Sequence, residues 1–166
     1  MKINNDHMYH GAALTQIAEH PAFTAINVFR TRQGASRSGF VINSNIGVYL
    51  KYASEPKLPF NEYVFQFHTE HLFELRKIAK NHRYVYLGLI CVQGRQICCL
   101  PLEMLEKLID RRRKKKGSEE DQYTILVTMP KGGYFRVYIS DPGKKKTFLG
   151  EQYKIARSDF PDKLFD

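Results

Sequence analysis

The chain has 166 residues, 43% hydrophobic and 13% aromatic, with 26 Lys and Arg against 17 Asp and Glu and a formal net charge of +9. That length suits one domain around one main core, and that apolar content excludes a globally disordered chain. No apolar run is long enough to span a bilayer, and residues 1–7 lack the apolar segment of a signal peptide, so the expected location is the cytoplasm.

Residues 1–7 are polar and expected to fray. Met8–His20 reads as a helix with Leu14, Ile17 and Ala18 as its buried stripe, ended by Pro21. Phe23–Arg30 alternates as a strand, and Thr31–Ser38 reads as a mobile basic loop. Gly39–Ile42 and Ile46–Ala53 form a hairpin around Asn43, Ser44 and Asn45; Val48, Leu50 and Tyr52 share one face of its second arm, Tyr49 and Lys51 the other. Ser54–Asn61 is a connection with two prolines. Glu62–His68 alternates as a strand, and Thr69 caps a helix to about Lys80 with Leu72, Leu75, Ile78 and Ala79 inward.

Tyr84–Val92 is continuously apolar, the pattern of a strand covered on both faces. Gln93, Gly94 and Arg95 turn the chain, and Gln96–Leu100 pairs back. Pro101 opens a helix with Leu102, Leu105, Leu108 and Ile109 on one side, running into six cations before Gly117 stops it. Ser118–Asp121 is an acidic loop, and Gln122–Met129 and Gly133–Ser140 form a further hairpin. The tail from Lys154 docks through Phe160, Leu164 and Phe165. The sum is a single α+β domain over residues 1–166, with a mainly antiparallel or mixed sheet of seven or eight strands and three helices packed on it. The aromatic content also fits a homodimer built on a sheet face.

Cys91, Cys98 and Cys99 fall in predicted strands, and the neighbours Cys98 and Cys99 point to opposite faces. They read as small apolar core residues in a reducing compartment rather than as ligands. His7 and His10, and His68 and His71, are spaced three apart without a third or fourth ligand in a recognisable spacing, so neither a metal nor another cofactor is expected.

The charge is localised. Arg111, Arg112, Arg113, Lys114, Lys115 and Lys116 form one run and Lys144, Lys145 and Lys146 another, and outside them the remaining 17 Lys and Arg equal the 17 Asp and Glu. A macrodipole accounts for one or two cations at a helix C-terminus, not six, whereas a polyanion relieves their mutual repulsion. Tyr134, Arg136 and Tyr138 alternate on one strand face, offering stacking and phosphate contacts together. The favoured reading is a nucleic-acid-binding module without chemistry of its own, using these twelve residues. A second reading is an interaction module whose basic runs meet an acidic protein.

A third comes from the order of elements. A helix (8–20), a strand (23–30), a hairpin (39–53), then a strand, helix and strand (62–92) resembles the core of the PD-(D/E)xK nuclease superfamily, and His10–Glu19 is similar to its first helix. The resemblance implies a Mg²⁺-dependent phosphodiesterase in which the metal activates water and a lysine stabilises developing charge. Lys51 would be that lysine, with Glu19 and Glu62 as the acids. Tyr49 stands two residues before Lys51 and Asn43 stands at the other acidic position, so the resemblance equally implies a nuclease-like fold without catalysis.

Overall fold

The structure is a computed structural model and describes residues 1–144 and 147–166. The elements run α1 (Asn5–Glu19), β1 (Ile26–Thr31), β2 (Gly34–Ile42), β3 (Ile46–Ala53), β4 (Tyr63–His68), α2 (Thr69–Asn81), β5 (Tyr84–Cys91), β6 (Gln96–Pro101), α3 (Leu102–Lys116), β7 (Gln122–Thr128), β8 (Phe135–Ile139), β9 (Tyr153–Ile155) and the short α4 (Asp159–Asp162). The α+β architecture read from the sequence is present, with the described strands divided between two sheets. The first has the order β1-β2-β3-β5-β6; β3 and β5 are parallel and the other pairs antiparallel. The second, β4-β7-β8-β9, is antiparallel throughout. No helix among the described residues is long and apolar enough to cross a membrane.

Strand β5 explains the layering. Val85, Leu87, Leu89 and Cys91 face one core together with Cys98, Leu100, α2, α3 and the inner face of the second sheet. Ile90 turns to the opposite core, built with Ile97, Cys99, Ala13 and Ile17 of α1, and Phe160 and Leu164 of the tail. A strand apolar at every position requires a cover on each side. Here α1 and the C-terminal segment supply one, and α2, α3 and the four-stranded sheet supply the other. All three cysteines are buried in this region as free thiols, and burial pushes the Cys91 and Cys99 thiols up to about 12.

Three local features depart from the sequence reading. The N-terminus is not frayed up to residue 7, because Asn4 caps α1. Its side chain accepts the His7 N–H at 2.9 Å, and His7 Nδ1 accepts the Asn4 N–H at 3.1 Å. Helix α2 is capped from His68 rather than Thr69: the His68 N–H donates to His71 Nδ1 at 3.1 Å, while the Thr69 hydroxyl donates to Asp121 O at 3.2 Å. Thr31–Ser38 is not a loop, since β1 and β2 remain paired out to Thr31 and Gly34. The ladder breaks between Val28–Phe40 and Arg30–Ala35, leaving extra residues on β2 as a bulge. Ser36 closes the bulge: its Oγ accepts the Ser38 and Gly39 N–H groups at 3.2 and 2.8 Å, and its hydroxyl donates to the Glu74 carboxylate on α2.

The bulge has a consequence for β3. Pairing of β2 with β3 ends at Gly39–Tyr49, whereas β3 stays paired with β5 to Ala53. Lys51 therefore lies past the last rung of one neighbour and within the ladder of the other. Closer to the hairpin, α2 rests directly on Gly47, where a Cβ would collide with the Ile78 side chain and meet Val85 Cγ2 at 3.3 Å. Gly47→Ala is expected to destabilise the fold by about 1–3 kcal/mol by overpacking this seam. Equilibrium urea unfolding measures it, and an unchanged midpoint would show that α2 can lift away freely.

Candidate nucleic-acid interface

The cationic end of α3 is built into the fold. Gly117, at φ 81° in the left-handed region, ends the helix and donates its N–H to Arg113 O at 2.8 Å. The reversal brings Glu119 and Glu120 back alongside the arginines. Arg112 grips Glu120 with both arms, Nε to Oε1 at 2.5 Å and Nη2 to Oε2 at 3.1 Å. Its Nη1 donates onward to the backbone and side-chain oxygens of Ser140, at 2.8 and 3.0 Å. Arg113 pairs with Asp110 at 2.8 Å and Glu119 at 3.5 Å and lies over the Tyr123 ring. Arg111 donates to Glu151 O at 3.0 Å and to the Tyr153 hydroxyl at 2.9 Å. The Arg112 guanidinium holds the Glu120 carboxyl below its usual range, with Lys116 assisting at 3.3 Å.

These bonds sort the six cations. Arg111, Arg112 and Arg113 are half-buried ties between α3 and the second sheet. Lys114 and Lys115 are exposed and, among the described residues, have no carboxylate within 4.0 Å. The arginines also tie the residues that flank Lys144 to the end of α3. Arg112 holds Ser140 and Arg111 holds Glu151, and a Cβ on Gly150 would come within 3.2 Å of the Arg111 side chain. Lys144 lies on that segment and is exposed; Lys145 and Lys146 lie outside the described residues.

Arg136 and Tyr138 lie on the outer face of the second sheet and Tyr134 immediately precedes β8, but the three do not make one open stacking surface. Tyr134 is 53% exposed and Tyr138 only 6%. The Tyr138 hydroxyl donates to the Glu62 carboxylate, and its ring packs against Phe148 with centroids 5.8 Å apart. Burial, then the Glu62 anion, pushes the Tyr138 pKa up. The expected continuous aromatic surface is corrected to an exposed Tyr134 and an occupied Tyr138.

Glu19, Lys51 and Glu62 are not gathered into one centre. Glu62 is bound to Tyr138 on the outer face of the second sheet. Lys51 reaches over the Phe67 ring, 5.0 Å from its centroid, near the other end of β4. Five residues of extended strand separate Phe67 from Glu62, about 16 Å. Glu19 is exposed at the far end of α1. Among the described residues no group of three or more His, Cys, Asp or Glu is placed to hold a metal.

Lys51 instead belongs to a polar pocket that the sequence did not predict. Its Nζ lies 3.4 Å from His71 Nδ1, and His68 and Tyr49 border the same imidazole. Because Nδ1 accepts the His68 N–H, it is the unprotonated ring nitrogen, and its one lone pair is shared between that N–H and the amine. Among the described residues no carboxylate lies within 4.0 Å of the amine. Burial pushes the Lys51 amine down to about 8, and burial together with Lys51 and His68 lowers the His71 pKa. The signal in the sequence was the His68/His71 spacing, set aside because it matched no metal pattern.

No family model, curated protein or solved structure matches this chain. The chemistry of these sites therefore rests on their own geometry.

Arg112→Met is expected to cost about 1.5–3 kcal/mol near neutral pH, because it strands a half-buried carboxylate and the Ser140 oxygens. Glu120 has a lowered folded pKa, so this contribution is present above the ordinary carboxylate range and fades as pH falls through the lowered value. Urea unfolding of parent and variant should thus differ most at pH 7 and less once acid protonates Glu120, where only the loss of the Ser140 bonds remains. For Lys51 the sign is opposite. Its folded value of about 8 lies below the ordinary 10.5, so the charged amine opposes folding in full below pH 8, and that opposition fades as pH rises toward 10.5. Lys51→Met should be more stable than the parent at pH 7, with an advantage that shrinks by pH 10. A pH-independent difference in melting temperature would refute this.

Proposed function

We propose that the protein binds nucleic acid without acting on it chemically, through the edge where the C-terminus of α3 meets the Ser140–Glu151 segment. The observation that carries the reading is the pinning of this segment by Arg111 and Arg112, which sets Lys144 on a stretch anchored beside the helix end bearing Lys114 and Lys115. Arginines that already satisfy protein acceptors have few N–H groups left for phosphates, so the exposed lysines carry the contact. Lysine acts there as a hydrated point charge, which suits phosphate attraction without base recognition. Tyr134 and Arg136 on the adjoining sheet remain as an exposed ring and a half-buried cation for a strand that extends past the edge. Three free thiols in the core fit a reducing, cytoplasmic setting.

The reading predicts steeply salt-dependent binding with little sequence preference. Each phosphate contact contributes a slope of about −0.9 in log affinity against log salt for duplex DNA. Replacing Lys114, Lys115 and Lys144 together by Ser should therefore flatten the slope by about 2–3 and weaken binding at low salt. Fluorescence anisotropy with labelled duplex and single-stranded DNA, across a salt series, measures both. Unchanged affinity and slope in the triple variant would remove the assigned edge. Loss of full-length DNA on adding Mg²⁺, absent with EDTA, would overturn the claim that no chemistry occurs.

A further inference from the structure

The outer face of the second sheet carries a cleft of about 510 Å³ beside the basic edge. Residues from two parts of the chain wall it. On one side Lys57 and Glu62 exchange backbone hydrogen bonds, at 2.8 and 3.1 Å, and the turn between them holds Pro59 and a 50% exposed Phe60 out from the sheet. On the other side Asp141 N–H donates to Thr147 O at 2.9 Å and Leu149 N–H to Ile139 O at 2.8 Å, which sets a 49% exposed Phe148 opposite. Leu126 and Tyr138, cross-strand partners on β7 and β8, make the floor. The Tyr138 and Phe148 rings are inclined at 60°. Glu62 sits half-buried among them and accepts the Tyr138 hydroxyl. Among the described residues no Lys, Arg or His nitrogen lies within 4.0 Å of its carboxylate.

We infer that this cleft binds an alkylated ammonium group, with the cationic nitrogen among Phe60, Phe148 and Tyr138 and Glu62 as its counter-charge. Three aromatic rings and one carboxylate around an apolar floor provide quadrupole and charge attraction for a cation. The lining also selects the kind of cation. A small inorganic ion needs several oxygens to replace its water, and a primary ammonium has three N–H groups to satisfy. Beside Glu62 the cleft offers few acceptors: both Ser140 oxygens already accept from Arg112, and the Thr147 hydroxyl, which donates to Lys144 O, and the Gln152 side chain complete its polar lining. A nitrogen carrying methyl groups has no N–H to satisfy and gains from apolar walls. The same chemistry is offered by a free choline-type molecule and by a trimethylated lysine of a peptide.

The test is a titration of the whole ¹⁵N-labelled chain followed by amide chemical shifts. The probes are tetramethylammonium chloride, choline chloride, a short trimethyllysine peptide and the same peptide with unmodified lysine. Saturable shifts confined to Phe60, Glu62, Leu126, Tyr138 and Phe148 are expected with the methylated probes. They should be absent with NaCl at equal concentration and weaker by about tenfold with the unmodified peptide. Tighter binding of the trimethyllysine peptide than of choline assigns the group to a protein partner, and the reverse order assigns it to a small metabolite. Glu62→Gln retains an acceptor for Tyr138, and Phe148→Ala removes an exposed ring; each should weaken binding about fivefold or more without moving the melting temperature. No saturable shift with any methylated probe, equal shifts with NaCl, or unaltered affinity in both variants would overturn the assignment.

Discussion

The constraint on which the rest depends is that β5 is buried on both faces. An alternating strand can be satisfied by one layer of cover; Val85, Leu87, Leu89 and Cys91 on one side and Ile90 on the other cannot. Every other element is placed by that demand. Helix α1 and the C-terminal Phe160 and Leu164 close one side, which is why a tail far from β5 in sequence folds back across the sheet. Helices α2 and α3 close the other only together with the second sheet, whose Phe65, Phe67, Ile125, Val127, Phe135 and Val137 complete the same core. Close approach is made possible by residues without side chains. Gly47 lies under Ile78 of α2, and Gly88 lies where a Cβ would come within 2.7 Å of Leu50. Bulk at either would push a layer off the strand it covers.

Having two layers on one side creates a joint, and the arginines of α3 secure it. The joint needs donors that can bridge a helix end to a sheet several ångströms away and meet carboxylate and carbonyl oxygens at once. The planar guanidinium does this; an ammonium does not. Arg112 touches Glu120 and Ser140 in a single fork, and Arg111 reaches β9 through Tyr153. A run that looks like one polyanion site in the sequence is therefore two things in space: a structural clamp of three arginines and a solvated turn of lysines.

How much of this was legible follows from what each residue's role depends on. Local periodicity fixed the faces: Tyr49 and Lys51 do lie opposite Val48, Leu50 and Tyr52, and β5 is covered as its composition requires. The left-handed stop at Gly117 was equally readable, because a helix end there suits only a residue without a Cβ. Partners distant in the chain were not readable. β4 pairs with β7 across α2, β5, β6 and α3, so the division into two sheets is set by packing rather than by any local pattern. The same limit hid the Glu62–Tyr138 bond and the His71–Lys51 contact, which join residues 76 and 20 positions apart. Thr31–Ser38 looked like a loop because it is basic and rich in Gly and Ser, yet Ser36 supplies the hydrogen bonds that make such a segment a bulge within paired strands.

The order of the cations within α3 carries more meaning than their number. Net charge would be the same if lysines occupied 111–113 and arginines 114–116, but the fold would not. The first three positions point into the joint, where exposure falls to 19% for the Arg112 side chain and its donors meet fixed acceptors on Glu120 and Ser140. The last three lie on the final turn before Gly117, where Lys116 remains 44% exposed and the macrodipole favours positive charge without requiring any particular geometry. A forked, weakly hydrated donor belongs at the first set and a mobile, strongly hydrated one at the second. The residues best suited to hold the protein together are thus the least free to hold a polyanion. The attraction that the composition suggests falls to the side chains the fold has no use for.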